Sequence, residues 1–210
     1  MNDLLRALTS QMSAVEVVAS VATLVNVYLI LKNNTWCWIW GIVAVVLYGW
    51  VFYTGRLYSS MALQILYYLP MQFFGWWVWL RSGPRGQDDL PITRLSWPAR
   101  IGWLALIVPV ALLLGYLSAR LGAALSYADA AATAMSIVGQ YLLTRKRVEN
   151  WVFWIAVDVL YAFYLLPQQG LWISAALYVI LLGMAVAGLA EWLRIMRAEG
   201  VRTAEQGGAA

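Results

Sequence analysis

Seven stretches of this chain are each long and apolar enough to cross a bilayer, and that constrains the fold more than any motif does. A membrane-spanning helix needs roughly 20 mostly apolar residues. Such stretches occupy about 13–31, 36–54, 58–80, 99–118, 125–144, 150–166 and 170–193. The chain has 210 residues, 63% of them hydrophobic and 11% charged. Soluble domains carry about 25% charged residues, so no water-soluble core accounts for this much apolar surface. The expected fold is all-α and integral to the membrane, one transmembrane domain covering 1–210. The polar stretch 81–98 is too short to be a domain. The tail beyond 194 is polar and expected to fray. The start, Met1-Asn2-Asp3-Leu4, lacks the basic residues of a cleaved signal peptide.

Absent residue types exclude several functions. There is no histidine and a single cysteine, Cys37. No cofactor or metal site is expected from such a set, nor a nucleophile with its base, so the chain does not read as an enzyme. The net charge of +4 reads as topology, not as affinity for nucleic acid. With seven spans, Arg6, Arg56 and Arg120 fall on one side of the membrane, against eleven lysines and arginines on the other. Basic residues accumulate on the cytoplasmic side, which puts the N-terminus outside and the C-terminus, with the tail 194–210, in the cytoplasm.

The sequence also partly repeats itself. Shifted by 113 residues, Trp38 falls on Trp151, Leu47-Tyr48 on Leu160-Tyr161, and Gly75 with Trp79 on Gly188 with Trp192. Polar positions follow: Glu16 on Asp129, Ser20 on Thr133, Thr23 on Ser136. With one residue added, Leu57 meets Leu171 and Ser60 meets Ser174. The first three spans (repeat 1, about 13–80) thus map onto the last three (repeat 2, about 125–193). A loop and helix at 81–124 are left over as linker. Three spans are odd in number, so one extra crossing restores a common orientation. The expected architecture is two parallel three-helix repeats joined by a linker helix, with a substrate site between them near the bilayer midplane.

Polar groups inside the spans mark where that site should lie. Asp158 falls midway through the sixth span, and an intramembrane charge is costly. Trp151, Trp154, Asp158 and Tyr161 are spaced i, i+3, i+7, i+10 and share one helix face. Two indoles, a carboxylate and a phenol suit a flat, cationic aromatic ligand. Trp151 reads equally as part of the interfacial aromatic belt, and Asp158 as a protonated acid bonded to a neighbouring helix. Glu16 and Asp129, in the first turns of their spans, read as favourable charges at helix N-termini. The fifth span carries a stripe of Asp129, Thr133, Ser136 and Gln140. The third carries Gln64, Tyr68 and Gln72 with Tyr67 and Gly75 adjacent. Either stripe alone is compatible with interhelical packing; together they line a pathway with hydroxyls and amides. Candidate binding residues are therefore Trp151, Trp154, Asp158, Tyr161, Gln64, Tyr68, Gln72, Ser136 and Gln140. Asn150, Tyr67, Thr133 and Tyr178 come second. Val45 stands where the repeat would place a partner for Asp158, so the two halves must hold different ends of a ligand.

The segment Asn150-Trp151-Val152-Phe153-Trp154, preceded by Glu149, resembles the ENWxxW signature of the PnuC vitamin transporters. Leu57-Tyr58 leading to Leu63-Gln64, Gly75-Trp76 with Trp79, and Gly170-Leu171 are similar to the same family, over about 15–193. The resemblance implies a bacterial inner-membrane carrier with the 3+1+3 topology of SWEET sugar carriers. It implies facilitated diffusion of nicotinamide riboside, thiamine or riboflavin, drawn inward by a cytosolic vitamin kinase. Two departures fall in the presumed pocket: nicotinamide riboside carriers of the family often have asparagine at the positions of Asp158 and Ala44. The Gln64-to-Gly75 spacing is also one residue long, with Pro70 between, which predicts a bulge or kink. Nicotinamide riboside is the first expectation and thiamine the alternative. A neutral-sugar carrier is a third reading, for which the tryptophan–aspartate stripe is superfluous. Homo-oligomerisation is left open.

Overall fold

A computed structural model describes residues 14–54, 61, 63–81, 90–120, 126–168 and 172–207. The described residues are helical apart from short connections. In chain order the helices are α1 (Ala14–Leu31), α2 (Cys37–Thr54), α3 (Gln64–Tyr68 continuing as Leu69–Arg81) and α4 (Trp97–Arg120). Then follow α5 (Ser126–Thr144), α6 (Asn150–Leu160, Tyr161–Leu165 and Leu166–Gln168 in continuous succession) and α7 (Trp172–Gly207). Five of these are long and apolar enough to cross a membrane, within Ala14–Leu31, Cys37–Thr54, Trp97–Arg120, Asn150–Gln168 and Ser174–Ala198. The all-helical integral membrane fold is thus as expected. The expected Leu57-Tyr58 and Gly170-Leu171 features lie outside the described residues.

One expectation is corrected. Up to Gly207 the tail does not fray: α7 runs from Trp172 to Gly207, 36 residues or about 54 Å. The tail's start is rich in strong helix formers, and Glu191 pairs with Arg194 one turn on, at 3.8 Å.

Two helix ends are built alike. Asn33 (φ 53°) and Lys146 (φ 46°) adopt the left-handed conformation just past α1 and α5. The Asn33 N–H donates to the Ile30 carbonyl and the Asn34 N–H to that of Leu29, at 2.8 and 2.9 Å. The Lys146 and Arg147 N–H groups donate to the Leu143 and Leu142 carbonyls, at 3.0 and 2.9 Å. Each is a Schellman ending, which satisfies carbonyls the helix leaves open. α2 then starts on the Asn34 side chain, whose Oδ1 accepts the Trp36 N–H at 2.9 Å.

α1 packs along α2, α5 lies against both α4 and α6, and α7 closes on α6 and α1. α3 bridges α2 and α5. At one end of the bundle, Trp38, Trp79, Trp151 and Trp192 are fully buried in one cluster. Trp38 meets Trp79 edge-on with ring centres 5.2 Å apart, and Trp151 meets Trp192 edge-on at 5.5 Å. The Trp38 ring lies against Gly75 and the Trp151 ring against Gly188, where a Cβ would overlap either ring.

α3 and α6 each contain one π-helical turn, Gln64–Tyr68 and Tyr161–Leu165. The Leu69 N–H reaches the Gln64 carbonyl and the Leu166 N–H that of Tyr161, each bond spanning five residues. Pro70 and Pro167 stand two residues beyond these turns. A proline donates no N–H and its ring clashes with the carbonyl four residues back. Those carbonyls, of Leu66 and Phe163, lie inside the π turns, where the wider winding moves them aside. The bulge expected from the long Gln64–Gly75 spacing is the first of these turns.

The segment before α4 is strapped onto the α5–α6 connection. The Thr93 N–H donates to the Lys146 carbonyl and the Val148 N–H to that of Thr93, both at 3.0 Å. Arg147 donates to the Thr93 hydroxyl at 2.8 Å. The Glu149 carboxylate accepts the Leu95 N–H at 3.1 Å and a two-pronged bond from Arg100, at 3.0 and 2.7 Å. Ile92 is buried beneath the strap in the tryptophan cluster.

Candidate functional site

Between α1, α2 and α3 on one side and α5, α6 and α7 on the other lies a cavity of about 330 Å³. All of Trp151, Trp154, Asp158 and Tyr161 line it, as the spacing along α6 requires. Gln64, Tyr68 and Gln72 enter from α3, and Ser136 and Gln140 from α5. Asn150 and Tyr178 also reach it. Two secondary candidates do not. Tyr67 turns to the far side of α3, where its hydroxyl donates to the Ile137 carbonyl at 2.7 Å. Tyr67 and Met71 share that outer face, as Tyr68 and Gln72 share the inner one, each pair four residues apart. Thr133 is not in the cavity wall, so the fifth-span stripe contributes only its inner half, Ser136 and Gln140. Asp129 instead accepts a bond from the Tyr161 hydroxyl at 3.2 Å.

The two walls differ in chemistry. One is aromatic: Trp151 and Trp154 stand above Tyr161, which stacks on Tyr178 with centres 4.8 Å apart. The facing wall is amide-rich, with Gln64, Gln72 and Asn26. Asn26 was not among the expected residues. It is held by donating its Nδ2 to the Cys37 carbonyl at 2.7 Å. Its signal in the sequence is the spacing Thr23, Asn26, Ile30, one face of the first span, all three in the cavity wall. Tyr48 was also missed, and its hydroxyl pairs with that of Ser20 at 3.0 Å.

Two glycines lie against these walls. A Cβ on Gly41 would collide with the Gln72 amide and crowd that of Asn26. The amides fit because position 41 has no side chain. On the other side, a Cβ on Gly139 would make ordinary contact with the Trp154 ring, 3.5 Å away.

Several polar groups here have no partner among the described residues. Gln72 Oε1 and Asn150 Oδ1 are buried acceptors without a donor, and Gln140 Nε2 and the Trp151 indole N–H are buried donors without an acceptor. Buried polar atoms are nearly always bonded, since leaving one unpaired costs about 1–3 kcal/mol. A cavity presenting both donors and acceptors in this state suits a polar ligand. Asp158 is 5% exposed and faces the cavity. Among the described residues it forms no ion pair; those that exist join Arg100 to Glu149 and Arg194 to Glu191. No three potential metal ligands converge among the described residues.

The family described as nicotinamide mononucleotide transporter matches residues 13–194. The nicotinamide riboside transporter PnuC of Escherichia coli (strain K12) is 27% identical over 216 residues, 91% of this chain and 90% of that protein. The protein of the same description from Neisseria mucosa is 28% identical over 199 residues, 86% of this chain and 72% of its own. A crystal structure of the vitamin B3 transporter PnuC superposes with a TM-score of 0.72, at 24% sequence identity, over 93% of this chain and 87% of that one.

Proposed function

Because the chain belongs to the nicotinamide mononucleotide transporter family, a family of membrane transporters and not of enzymes, we propose that it carries a cationic aromatic B vitamin by facilitated diffusion. Nicotinamide riboside is the substrate we favour. The observation that carries this reading is Asp158, a buried carboxylate with no cationic partner among the described residues, on one face with Trp151 and Trp154. A cationic ring stacked on the Trp154 indole supplies the missing countercharge. The unpaired amides of Gln72, Gln140 and Asn150 are matched in kind to a carboxamide and ribose hydroxyls. The relatives named above are described as nicotinamide riboside transporters, which supports the same choice.

Two parallel three-helix repeats around a linker α4 are the architecture we propose for the carrier. The 113-residue sequence offset and the like-built helix ends at Asn33 and Lys146 support it. We place the protein in a bacterial inner membrane with the C-terminus cytoplasmic, from the distribution of basic residues. A C-terminal reporter active only in the periplasm would reverse this. Net uptake then depends on a cytosolic kinase that phosphorylates the vitamin and holds it inside.

Calorimetry of the purified protein with nicotinamide riboside, thiamine, riboflavin and a neutral hexose tests the substrate. Nicotinamide riboside should bind most tightly. Thiamine is the second reading, because it too is a cation with aromatic rings and a hydroxyl. Preference for the hexose would overturn the cationic-vitamin reading.

A further inference from the structure

A second opening lies on the opposite side of α5 from the vitamin cavity. It has about 260 Å³ and is walled by Leu106, Ile107 and Val110 of α4 and by Ala134, Ile137 and Val138 of α5, with α3 as its third side. α3 and α4 both pack on α5 yet barely touch each other, and the crevice is the gap between them. We infer that this crevice holds an acyl chain of an anionic phospholipid, whose phosphate is bound by Arg145 at its mouth.

The walls are almost wholly apolar. The Tyr67 hydroxyl is engaged by the Ile137 carbonyl, and the other polar side chains, Trp103 and Tyr141, stand together at one end. Leu106 lines the crevice and is 49% exposed, while Leu104 and Val108 of the same helix are exposed to the surrounding lipid. The crevice therefore opens onto a surface already bathed by acyl chains. The gap between α3 and α4 is a narrow one, because both helices pack on α5. A single chain of methylenes needs no hydrogen-bond partner and little width.

The head of the lipid is assigned by charge. Trp103 lies 5.4 Å from the Tyr141 ring at one end of the crevice. One turn further, the Arg145 guanidinium lies over the rings of Tyr141 and Phe74, at 5.8 and 5.6 Å. Arg145 is exposed and has no carboxylate partner among the described residues. A tryptophan, a tyrosine and an unpaired arginine at the end of an apolar slot match the glycerol and phosphate level of a bilayer.

Native mass spectrometry of the purified full chain tests the assignment, with dioleoyl phosphatidylglycerol and dioleoyl phosphatidylcholine added at equal concentration. Phosphatidylglycerol should be retained at least five-fold over phosphatidylcholine. Arg145→Gln should abolish that preference and Arg145→Lys should keep most of it. Leu106→Trp, which fills the mouth from the lipid side, should cut retention of both lipids several-fold; Leu106→Phe serves if that variant does not purify. A dibutyryl phosphatidylglycerol should not be retained. Equal retention of the two dioleoyl lipids by the unmodified protein would overturn the proposal. So would undiminished phosphatidylglycerol on Leu106→Trp, which would mean attraction to surface charge alone. Light scattering that shows a dimer dispersed by Leu106→Trp would assign the crevice to a second copy of the chain. None of these outcomes depends on which vitamin is carried.

Discussion

Trp192 donates its indole N–H to the carbonyl oxygen of Ile30, 2.9 Å away and 162 residues back in the chain. A matching bond runs the other way, from the Trp79 indole to the Leu143 carbonyl at 3.4 Å. Tryptophan and carbonyl stand 113 residues apart from their counterparts in each case. Both acceptors are also the carbonyls that the Schellman endings use, so neither is orphaned when an indole is lost. Trp192→Phe and Trp79→Phe should each cost about 1–3 kcal/mol, from one hydrogen bond and a smaller ring. Thermal unfolding in detergent should show the larger loss for Trp192, whose bond is shorter. The reverse order would refute this account of the cluster.

Gly75 and Gly188 are expected to tolerate no side chain. Valine at either would drive into the buried ring of Trp38 or Trp151, and overpacking of this kind costs about 1–3 kcal/mol or more. Gly183 has open space where its Cβ would be, so Gly183→Ala should be neutral or slightly stabilising. Melting temperatures of the three variants give the comparison.

Glu149 fastens the strap before α4 through both Leu95 and Arg100. Hydrogen bonds to a charged group are worth about 1.5–3 kcal/mol. Glu149→Ala, which removes both acceptor oxygens, should therefore destabilise by about that amount, and Arg100→Gln by less, because Leu95 keeps its acceptor. Equal losses in chemical denaturation would mean that the Leu95 bond contributes nothing.

Asp158→Asn preserves shape and removes charge. If the carboxylate is the countercharge of a cationic vitamin, affinity should fall by about 1–2 kcal/mol, roughly 5- to 30-fold. An uncharged analogue of the same shape should be spared. Titration calorimetry with both ligands separates this from a packing role, in which cation affinity would not change.

Transport should be passive. In proteoliposomes without a kinase, uptake of the vitamin should stop at equal concentrations on both sides. Accumulation driven by an imposed proton or sodium gradient would sink this claim.

Much of the fold could be read from the chain because lipid enforces simple rules: apolar length marks spans, and α1, α2, α4 and α6 begin and end within two residues of the sequence-based bounds. The α6 stripe was legible because Trp151 to Tyr161 follow an uninterrupted helical period. Tyr67 and Thr133 were misjudged for two different reasons. Adjacency to Tyr68 says nothing about which side a residue takes. A polar stripe along α5 also does not reveal where the cavity stops and the Tyr161–Asp129 bond begins. Asn26 escaped notice because a lone amide among Val, Leu and Tyr gives no period of its own. Its importance depends on Gly41, 15 residues away, leaving room for it.

The paired π turns carry a consequence for how such a chain can change. A residue inserted into an α-helix swings everything beyond it by about 100° around the axis. In α3 and α6 one turn absorbs that swing. The sequence offset records it, going from 113 to 114 after Tyr48 and Tyr161 and back to 113 by Gly75 and Gly188. The aromatic end of each helix is thereby geared separately from its polar middle. Shifting the extra residue by a turn re-indexes Gln64 and Tyr68 against the cavity while Gly75 stays beneath Trp38. Selectivity in this scaffold is thus open to adjustment by length as well as by substitution, without touching the buried tryptophan cluster.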